Sequence, residues 1–243
     1  MASFKKIADT LVGFIYPNVC QLCSSQRATS AEGFVCSSCW EDVRFIKPPF
    51  CRRCGLPFPG SLTTEFECSN CQDMKLHFRS ARSAVKLDGP VREVVRRYKY
   101  KRALWFEPFL ADLLIREALP VLRQEKWDYI VPVPLHAAKK REREFNQAER
   151  LATFLSAAAR IPMDTTLLKR ITRTQTQTKL SRDQRAENMR NAFRMQERRN
   201  LNGERILLFD DVFTTGATTN ACAEVLLAAG AGEIGVWTVA RGF

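Results

Sequence analysis

The sequence predicts an α/β fold, a mostly parallel sheet flanked by helices, preceded by a small cysteine-rich module. Three observations support this fold class. Eight of the nine cysteines lie between Cys20 and Cys71 as four C-x-x-C pairs. From about residue 80, short apolar runs alternate with apolar residues at helical spacing, the pattern of strands and helices in succession. Near the C-terminus, Arg205 opens RILLFDDVFTTGATT, an apolar run that leads through a threonine-rich loop into another helical pattern.

The first 17 residues form a predicted amphipathic helix. Phe4, Ile7, Leu11 and Ile15 recur at helical spacing, and Pro17 ends the pattern. Asp9 interrupts the apolar stretch and no small-residue cleavage site follows, so no signal peptide is expected. No run reaches the roughly 18 apolar residues that a spanning helix requires. We therefore expect a cytoplasmic protein that does not itself span a membrane, and there paired cysteines more often bind metal than form disulfides.

The cysteine pairs predict a double zinc ribbon over residues 18–75. Twelve residues separate the first pair from the second, and thirteen separate the third from the fourth. This spacing favours two consecutive tetrahedral four-cysteine sites with structural Zn²⁺, although a crossed pairing fits as well. Iron–sulphur ligation and redox dithiols are weaker interpretations, because the compact ferredoxin run is absent and four pairs exceed what a thiol relay needs. The predicted ligands are Cys20, Cys23, Cys36, Cys39, Cys51, Cys54, Cys68 and Cys71.

The rest of the chain, residues 80–243, carries the predicted sheet. Strands are expected at 84–87, 129–133, 205–209 and 234–239. Helices are expected at 104–124, with a break near Pro120, at 147–160, and at 218–229, where Gly230 ends the last one. Because these strands alternate with helices, the sheet should be mostly parallel.

The segment after Arg205 predicts an anion site at the carboxyl end of its strand. Ligands of parallel sheets bind at that edge. Backbone N–H groups around Gly216 and the positive end of the following helix would hold a 5′-phosphate, and no Walker lysine follows. The two acidic residues would accept hydrogen bonds from ribose hydroxyls or hold Mg²⁺. The candidate residues are Asp210, Asp211, Thr214, Thr215, Gly216, Ala217, Thr218 and Thr219.

This Asp-Asp-x-x-Thr-Thr-Gly-x-Thr segment resembles the phosphoribosyl pyrophosphate signature of type I phosphoribosyltransferases. Together with the cysteine pairs, Tyr98 to Lys101 (YKYK), Val131 to His136 (VPVPLH) and Arg143, it makes nearly the whole chain similar to the ComF family of competence and DNA-utilisation proteins. The resemblance implies a phosphoribosyltransferase-like domain behind a double zinc ribbon. One departure is Glu144, which stands where the family usually has glycine, so a tight turn there is altered.

The resemblance also implies two further loops. A pyrophosphate loop would occupy residues 134–143, with His136 and Arg143 as its candidate contacts. A closing hood would occupy residues 172–185, with Lys179, Arg182 and Arg185 as candidate catalytic residues that meet the charge on departing pyrophosphate and exclude water. The implied cofactors are structural Zn²⁺ and Mg²⁺ bound with phosphoribosyl pyrophosphate.

Charge leaves a second function open. Residues 76–243 carry 30 Lys+Arg against 19 Asp+Glu, within a formal net charge of +12. The densest stretch, 92–102, places Tyr98 and Tyr100 among basic residues, where they could stack on bases of single-stranded DNA.

The first hypothesis is a phosphoribosyl pyrophosphate-binding protein of ComF type in uptake or utilisation of extracellular DNA, with an inner-membrane uptake machinery as a partner. The alternative is a non-catalytic single-stranded-DNA-binding accessory protein with a vestigial or regulatory ribosyl-phosphate site. Nothing in the sequence names an acceptor, so the sequence does not decide whether the chain is an enzyme. A protein-interaction module ranks last.

Overall fold

The computed structural model describes residues 18–60, 66–72, 74–172, 191–196 and 200–242. The predicted helix over residues 1–17 lies outside them. Four parallel strands form the main sheet in the order β1-β6-β5-β2. Its strands are β1 (Ser80–Lys86), β2 (Tyr129–Pro132), β5 (Arg205–Phe213) and β6 (Glu233–Arg241). A separate antiparallel pair joins β3 (Leu168–Arg170) and β4 (Phe193–Met195). The predicted parallel α/β sheet is confirmed.

Seven α-helices are described. They are α1 (Ser37–Glu41), α2 (Ser69–Gln72), α3 (Gly89–Tyr100), α4 (Glu107–Leu122), α5 (Ala137–Arg143), α6 (Gln147–Ala159) and α7 (Ala217–Ala228). Short 3-10 turns cover Ser30–Glu32 and Leu104–Phe106. The break expected near Pro120 is wrong, because α4 runs through Pro120 to Leu122. Proline at this position removes one hydrogen bond, to the Arg116 carbonyl, and the helix ends only two residues later.

Helix α3 was not predicted, because its basic residues mask an apolar stripe. Val91, Val94, Val95 and Tyr98 are buried on one face, at the i, i+3, i+4 and i+7 spacing of an amphipathic helix. Pro90 in its first turn is preorganised for the helical backbone and loses no hydrogen bond. The basic stretch 92–102 is therefore mainly the solvent side of a helix that packs on the sheet.

The sheet is buried on both faces. Leu207 and Phe209 of β5 belong to a core shared with α3, α4 and α6, whereas Ile206 and Leu208 belong to a second core shared with α7. Strands covered on both sides read as continuous apolar runs, which is why β5 is apolar from Ile206 to Phe209.

The two cysteine clusters dock on opposite sides of this sheet. In the first, Trp40 packs its ring 5.2 Å from that of Phe109 on α4. In the second, the carbonyl of Arg53 accepts a hydrogen bond of 2.7 Å from the Ala81 N–H of β1. The segment between the clusters also bonds to β1, through Ile46 N–H and the Ala84 carbonyl at 3.0 Å, so the outer edge of the sheet is covered.

Candidate functional site

The acidic pair lies within β5. The strand was expected to end at residue 209, but Asp210, Val212 and Phe213 continue the pairing with β6. Asp211 is only 6% exposed. Its Oδ2 lies 2.8 Å from Nζ of Lys99, which reaches across from the end of α3. One strand and one helix therefore place a carboxylate pair and a lysine at the carboxyl edge of the sheet, where ligands of parallel sheets bind.

Asp210 has an unusual acidity. Burial, and then repulsion by the Asp211 carboxylate, raise its pKa from 3.8 to about 7, against the attraction of Lys99. The Asp210 carboxylate also accepts a hydrogen bond of 2.8 Å from the Asp211 N–H. A further cation or hydrogen-bond donor beside this carboxyl would favour its charged form.

This pKa predicts a pH dependence of stability. Between about pH 4 and about pH 7, the folded chain keeps a proton on Asp210 that the unfolded chain has lost, so the free energy of unfolding falls as pH rises through this window. We expect Asp210→Asn to remove that part of the fall. Urea unfolding of both proteins between about pH 5 and about pH 8 measures it. Asp112→Asn, at an exposed carboxylate, is the control, and identical pH profiles for wild type and Asp210→Asn would contradict the assignment.

The threonine-rich loop joins β5 to α7. Gly216 stands at the N-cap of α7 with φ of +80°, and it has no side chain to cap the first N–H groups. The Thr219 hydroxyl donates to the Gly216 carbonyl at 3.0 Å, and the Thr215 hydroxyl accepts from Ala217 N–H at 3.4 Å. These two hydroxyls support the loop backbone, whereas Thr214 is exposed and Thr218 is half-buried. Such a loop leaves backbone donors and a helix N-terminus available to an anion.

Basic side chains lie near Asp210 and Lys99. Burial lowers the pKa of Lys139 on α5, and the guanidinium groups of Arg143 and Arg170 lower it further. Burial also lowers the pKa of Arg170, and the nearby carboxylate of Asp210 opposes this effect. Three elements thus bring basic side chains to one edge. A ligand that carries both hydroxyls and several phosphate charges matches this mixture of acids and bases.

A cleft of about 340 Å³ lies beside Lys99. Its lining residues are Lys99, Tyr100, Lys101, Arg102, Glu142 and Arg143. Tyr100 is 64% exposed, and the Arg143 guanidinium carbon lies 5.3 Å from the centroid of its ring. Tyr98, which the sequence offered equally as a stacking residue, is buried and donates to Glu107 at 2.8 Å. Tyr100 therefore keeps a stacking face available and Tyr98 does not.

Residues 134–143 are mostly helical. His136 caps α5, since its Nδ1 accepts a hydrogen bond of 3.2 Å from Ala138 N–H. Arg143 donates to Gln147 at 3.0 Å and lines the cleft. His136 thus has a structural role, and its contact with pyrophosphate stays a prediction. The predicted catalytic residues Lys179, Arg182 and Arg185 lie outside the described residues.

Lys99 was missed as a site residue, although a signal was present. It follows Val91, Val94, Val95 and Tyr98 at the i+8 position of their buried stripe. A lysine on the core-facing side of a helix needs an anionic partner, because an unpaired buried charge is costly. The sequence could have shown this need, but it could not show that Asp211 meets it.

Glu144 stands at the position where the family usually has glycine. It takes the left-handed conformation at the end of α5, with φ of +68°, and its carboxylate pairs with Arg102 at 2.7 Å. Glycine adopts this conformation without the penalty of a Cβ.

We expect Glu144→Gly to raise the free energy of unfolding by about 1 kcal/mol, because the strain lost exceeds the worth of an exposed ion pair. Urea unfolding measures the change. Glu144→Gln, which removes only the charge, should change stability by less than about 0.5 kcal/mol. A loss of stability in the glycine variant would contradict this account.

The cysteines form two compact groups with the consecutive pairing. Cys20, Cys23, Cys36 and Cys39 make the first, and Cys51, Cys54, Cys68 and Cys71 make the second. Within them, the Sγ atoms of Cys23 and Cys36 are 3.6 Å apart, and those of Cys51 and Cys71 are 3.9 Å apart. A tetrahedron with Zn–S bonds of about 2.3 Å has sulfur atoms about 3.8 Å apart. Both groups therefore fit a structural zinc ion, and the crossed pairing is excluded.

Comparisons with known proteins agree with this description. A family model described as a double zinc ribbon domain matches residues 11–73. A purine phosphoribosyltransferase from Pyrococcus horikoshii is 19% identical, with a TM-score of 0.35 over 55% of this chain and 83% of that one, a similarity too low to bear on fold or activity. Among the described residues, no helix is long and apolar enough to cross a membrane.

Sequence relatives are similar over most of their length. "Competence protein F" of Haemophilus influenzae is 31% identical over 87% of this chain and 92% of its own. "DNA utilization protein YhgH" of Salmonella typhimurium is 32% identical over 93% of this chain and 97% of its own. The chain therefore belongs to the ComF family, with competence protein F and DNA utilization protein YhgH, because it is more than 30% identical to both over most of its length and has the double zinc ribbon and the parallel sheet.

Proposed function

We propose that this chain binds phosphoribosyl pyrophosphate with Mg²⁺ at the carboxyl edge of its sheet. The observation that carries the proposal is the joining of a carboxylate pair, Asp210 and Asp211, to an uncapped helix N-terminus at Gly216. The phosphate oxygens at the loop would accept hydrogen bonds from backbone N–H groups, and the ribose hydroxyls would donate hydrogen bonds to the carboxylates. The ligand would add donors to the one that Asp210 already has, the Asp211 N–H.

Each part of the ligand has a matching group. The proposal assigns the pyrophosphate to Lys139 and Arg143, and the resemblance adds His136 to them. The hood residues Lys179, Arg182 and Arg185 would complete this end. Lys99 pairs with Asp211. Ribose hydroxyl groups or Mg²⁺ bound at the acidic pair would take the place of Lys99 there, and the ammonium group of Lys99 would then turn toward the phosphates.

The family suggests the setting. Relatives named for competence and for DNA utilisation support a role in the uptake or utilisation of extracellular DNA. The cytoplasm as its location and an inner-membrane uptake machinery as its partner are part of the proposal and rest on the family resemblance alone. If the site transfers the ribosyl group, an amine or a nucleobase nitrogen attacks the anomeric carbon and pyrophosphate leaves. Surrounding cations would stabilise the charge that develops on that leaving group.

A titration tests the proposal. Isothermal calorimetry of the zinc-loaded protein with phosphoribosyl pyrophosphate and Mg²⁺ should give micromolar binding, and Asp210→Asn/Asp211→Asn should weaken it at least tenfold, which is about 1.4 kcal/mol. Asp42→Asn/Asp112→Asn, a double change at exposed carboxylates, is the charge-matched control. No binding by the folded wild type would reject the proposal, and release of pyrophosphate on addition of an amine would extend it to catalysis.

A second function is favoured by Tyr100. Its exposed ring beside Arg143 is the kind of platform on which a base of single-stranded DNA stacks. Arg96 and Arg97 pair with Glu93, so their charges are already partly balanced on the helix surface. The best candidates for contact with a single strand are therefore Tyr100 and its neighbour Lys101.

Anisotropy of a labelled single strand tests this function. Binding should weaken steeply with salt, and Tyr100→Ala should cost about 1–3 kcal/mol. Phe154→Ala removes another partly exposed aromatic residue, on α6, and should leave binding unchanged. Equal effects of the two substitutions would exclude a stacking platform at Tyr100. Binding that survives Asp210→Asn/Asp211→Asn would separate this function from ribosyl-phosphate binding.

A further inference from the structure

A buried arginine connects the second cysteine group to the sheet. Arg241, the last residue of β6, is 5% exposed and points its Nη2 to within 3.3 Å of Cys54 Sγ. Among the described residues, its Nε and Nη1 atoms have no hydrogen-bond partner. A buried guanidinium requires a compensating anion. Four thiolates around one Zn²⁺ carry a net negative charge and provide it.

The same guanidinium also lies close to the threonine-rich loop between β5 and α7, which is called the phosphate loop below. Its carbon lies 4.7 Å from the centroid of the Phe213 ring, and Phe213 is buried at the end of β5. The far edge of that ring lies against Gly216, where an added Cβ would stand 2.6 Å from Phe213 Cζ. Unbroken contacts therefore run from the cysteine sulfurs through Arg241 and Phe213 to the glycine of the loop.

A second connection joins the same two regions. Asn220, in the first turns of α7, accepts a hydrogen bond of 2.7 Å from His77 N–H and donates one of 3.1 Å to the Lys75 carbonyl. Both partners follow soon after Cys71, the last ligand of the second group. The first group instead packs on α4, on the opposite face of the sheet, through Trp40 and Phe109.

We propose that the second four-cysteine site, acting through Arg241, positions the phosphate loop, and that the first site does not. Arg241 is then a positioning residue. Its charge is held by the metal-bound sulfurs, its planar face holds Phe213, and Phe213 holds Gly216 in its left-handed conformation. Loss of the second metal leaves a buried cation without its partner, and the loop loses its support. The consequence for ligand affinity rests on the function proposed above.

Hydrogen exchange of the ligand-free protein tests the inference without using that function. Arg241→Met keeps an unbranched apolar stem but removes the planar guanidinium and its charge. We expect it to speed exchange of the amides of residues 213–220, and release of zinc to a chelator, by about tenfold or more. Arg241→Lys restores the charge but not the planar face, so it should restore zinc retention while exchange in the loop stays faster than in wild type.

Arg82→Met is the matched control. Arg82 also contacts the second ribbon, through the carbonyl of Arg52 and the ring of Phe50, but it lies on β1, away from Phe213. We expect normal exchange in residues 213–220 of this variant. Protected amides in β5 and β6 report whether each variant is folded. If Arg241→Met did not fold, stepwise removal of zinc from the wild type would give the same comparison, with loop exchange rising only when the second site empties.

Three results would overturn the inference. They are unchanged loop exchange in Arg241→Met, an equal rise in Arg82→Met, and a loop that responds to the first zinc. Ligand titration of the same variants adds a separate measurement, in which Arg241→Met should weaken phosphoribosyl pyrophosphate binding about tenfold. If the wild type bound no ligand, the proposed function would fail while the exchange data would still decide the coupling.

Discussion

Gly216→Ala is expected to weaken binding of phosphoribosyl pyrophosphate at least tenfold and to destabilise the fold. Gly216 has φ of +80°, which costs a residue with a side chain roughly 1–2 kcal/mol. Its added Cβ would also stand 2.6 Å from the ring of Phe213, which is packed too tightly to move away. The loop must therefore shift, and its N–H groups would no longer converge on the phosphate. Calorimetric titration measures the affinity, and urea unfolding measures the stability.

Gly203→Ala separates strain from the site. Gly203 also has a positive φ, of +92°, but an added Cβ there meets nothing within 4 Å. We expect it to lose roughly 1–2 kcal/mol of stability and to keep full ligand affinity. Equal losses of affinity in the two variants would mean that the loop of Gly216 is not the binding site.

Glu107→Ala is expected to lower the free energy of unfolding by about 1–3 kcal/mol, the cost of leaving a buried donor unsatisfied. Glu107 is 6% exposed and accepts hydrogen bonds from the hydroxyl of Tyr98 at 2.8 Å and from Nη2 of Arg150 at 2.7 Å. Removal of the carboxylate leaves a buried hydroxyl and a partly buried guanidinium without their acceptor. Urea unfolding measures the loss.

This network also affects the site, because Tyr98 immediately precedes Lys99. Loss of the anchor should let the end of α3 move and lengthen the contact between Lys99 and Asp211. Glu107→Gln keeps an acceptor for Tyr98 and should lose less stability than Glu107→Ala. If the two variants were equally unstable, the charge and not the hydrogen bonding would carry the network.

The sequence alone determined the parts whose chemistry is local. Paired cysteines at a regular spacing predict a metal, because residues 18–75 show few apolar residues at a regular period, and the structure confirms two groups of four cysteines. An apolar run ending in Asp210 and Asp211, followed by Gly216 and a helical pattern, is likewise contained in fifteen consecutive residues. The residue types in this one short segment suffice to predict a strand, a loop and a helix there.

Tertiary structure decided which distant residues meet. The contacts of Lys99 with Asp211 and of Arg241 with Cys54 join residues 112 and 187 positions apart, and no periodicity encodes such a partner. Tyr98 and Tyr100 have the same chemistry and adjacent basic neighbours, yet one is buried and the other exposed, because helical rotation places only Tyr98 on the sheet. A charged residue on a buried face predicts from the sequence that it has a partner, but the packing of whole helices and strands determines which residue that partner is.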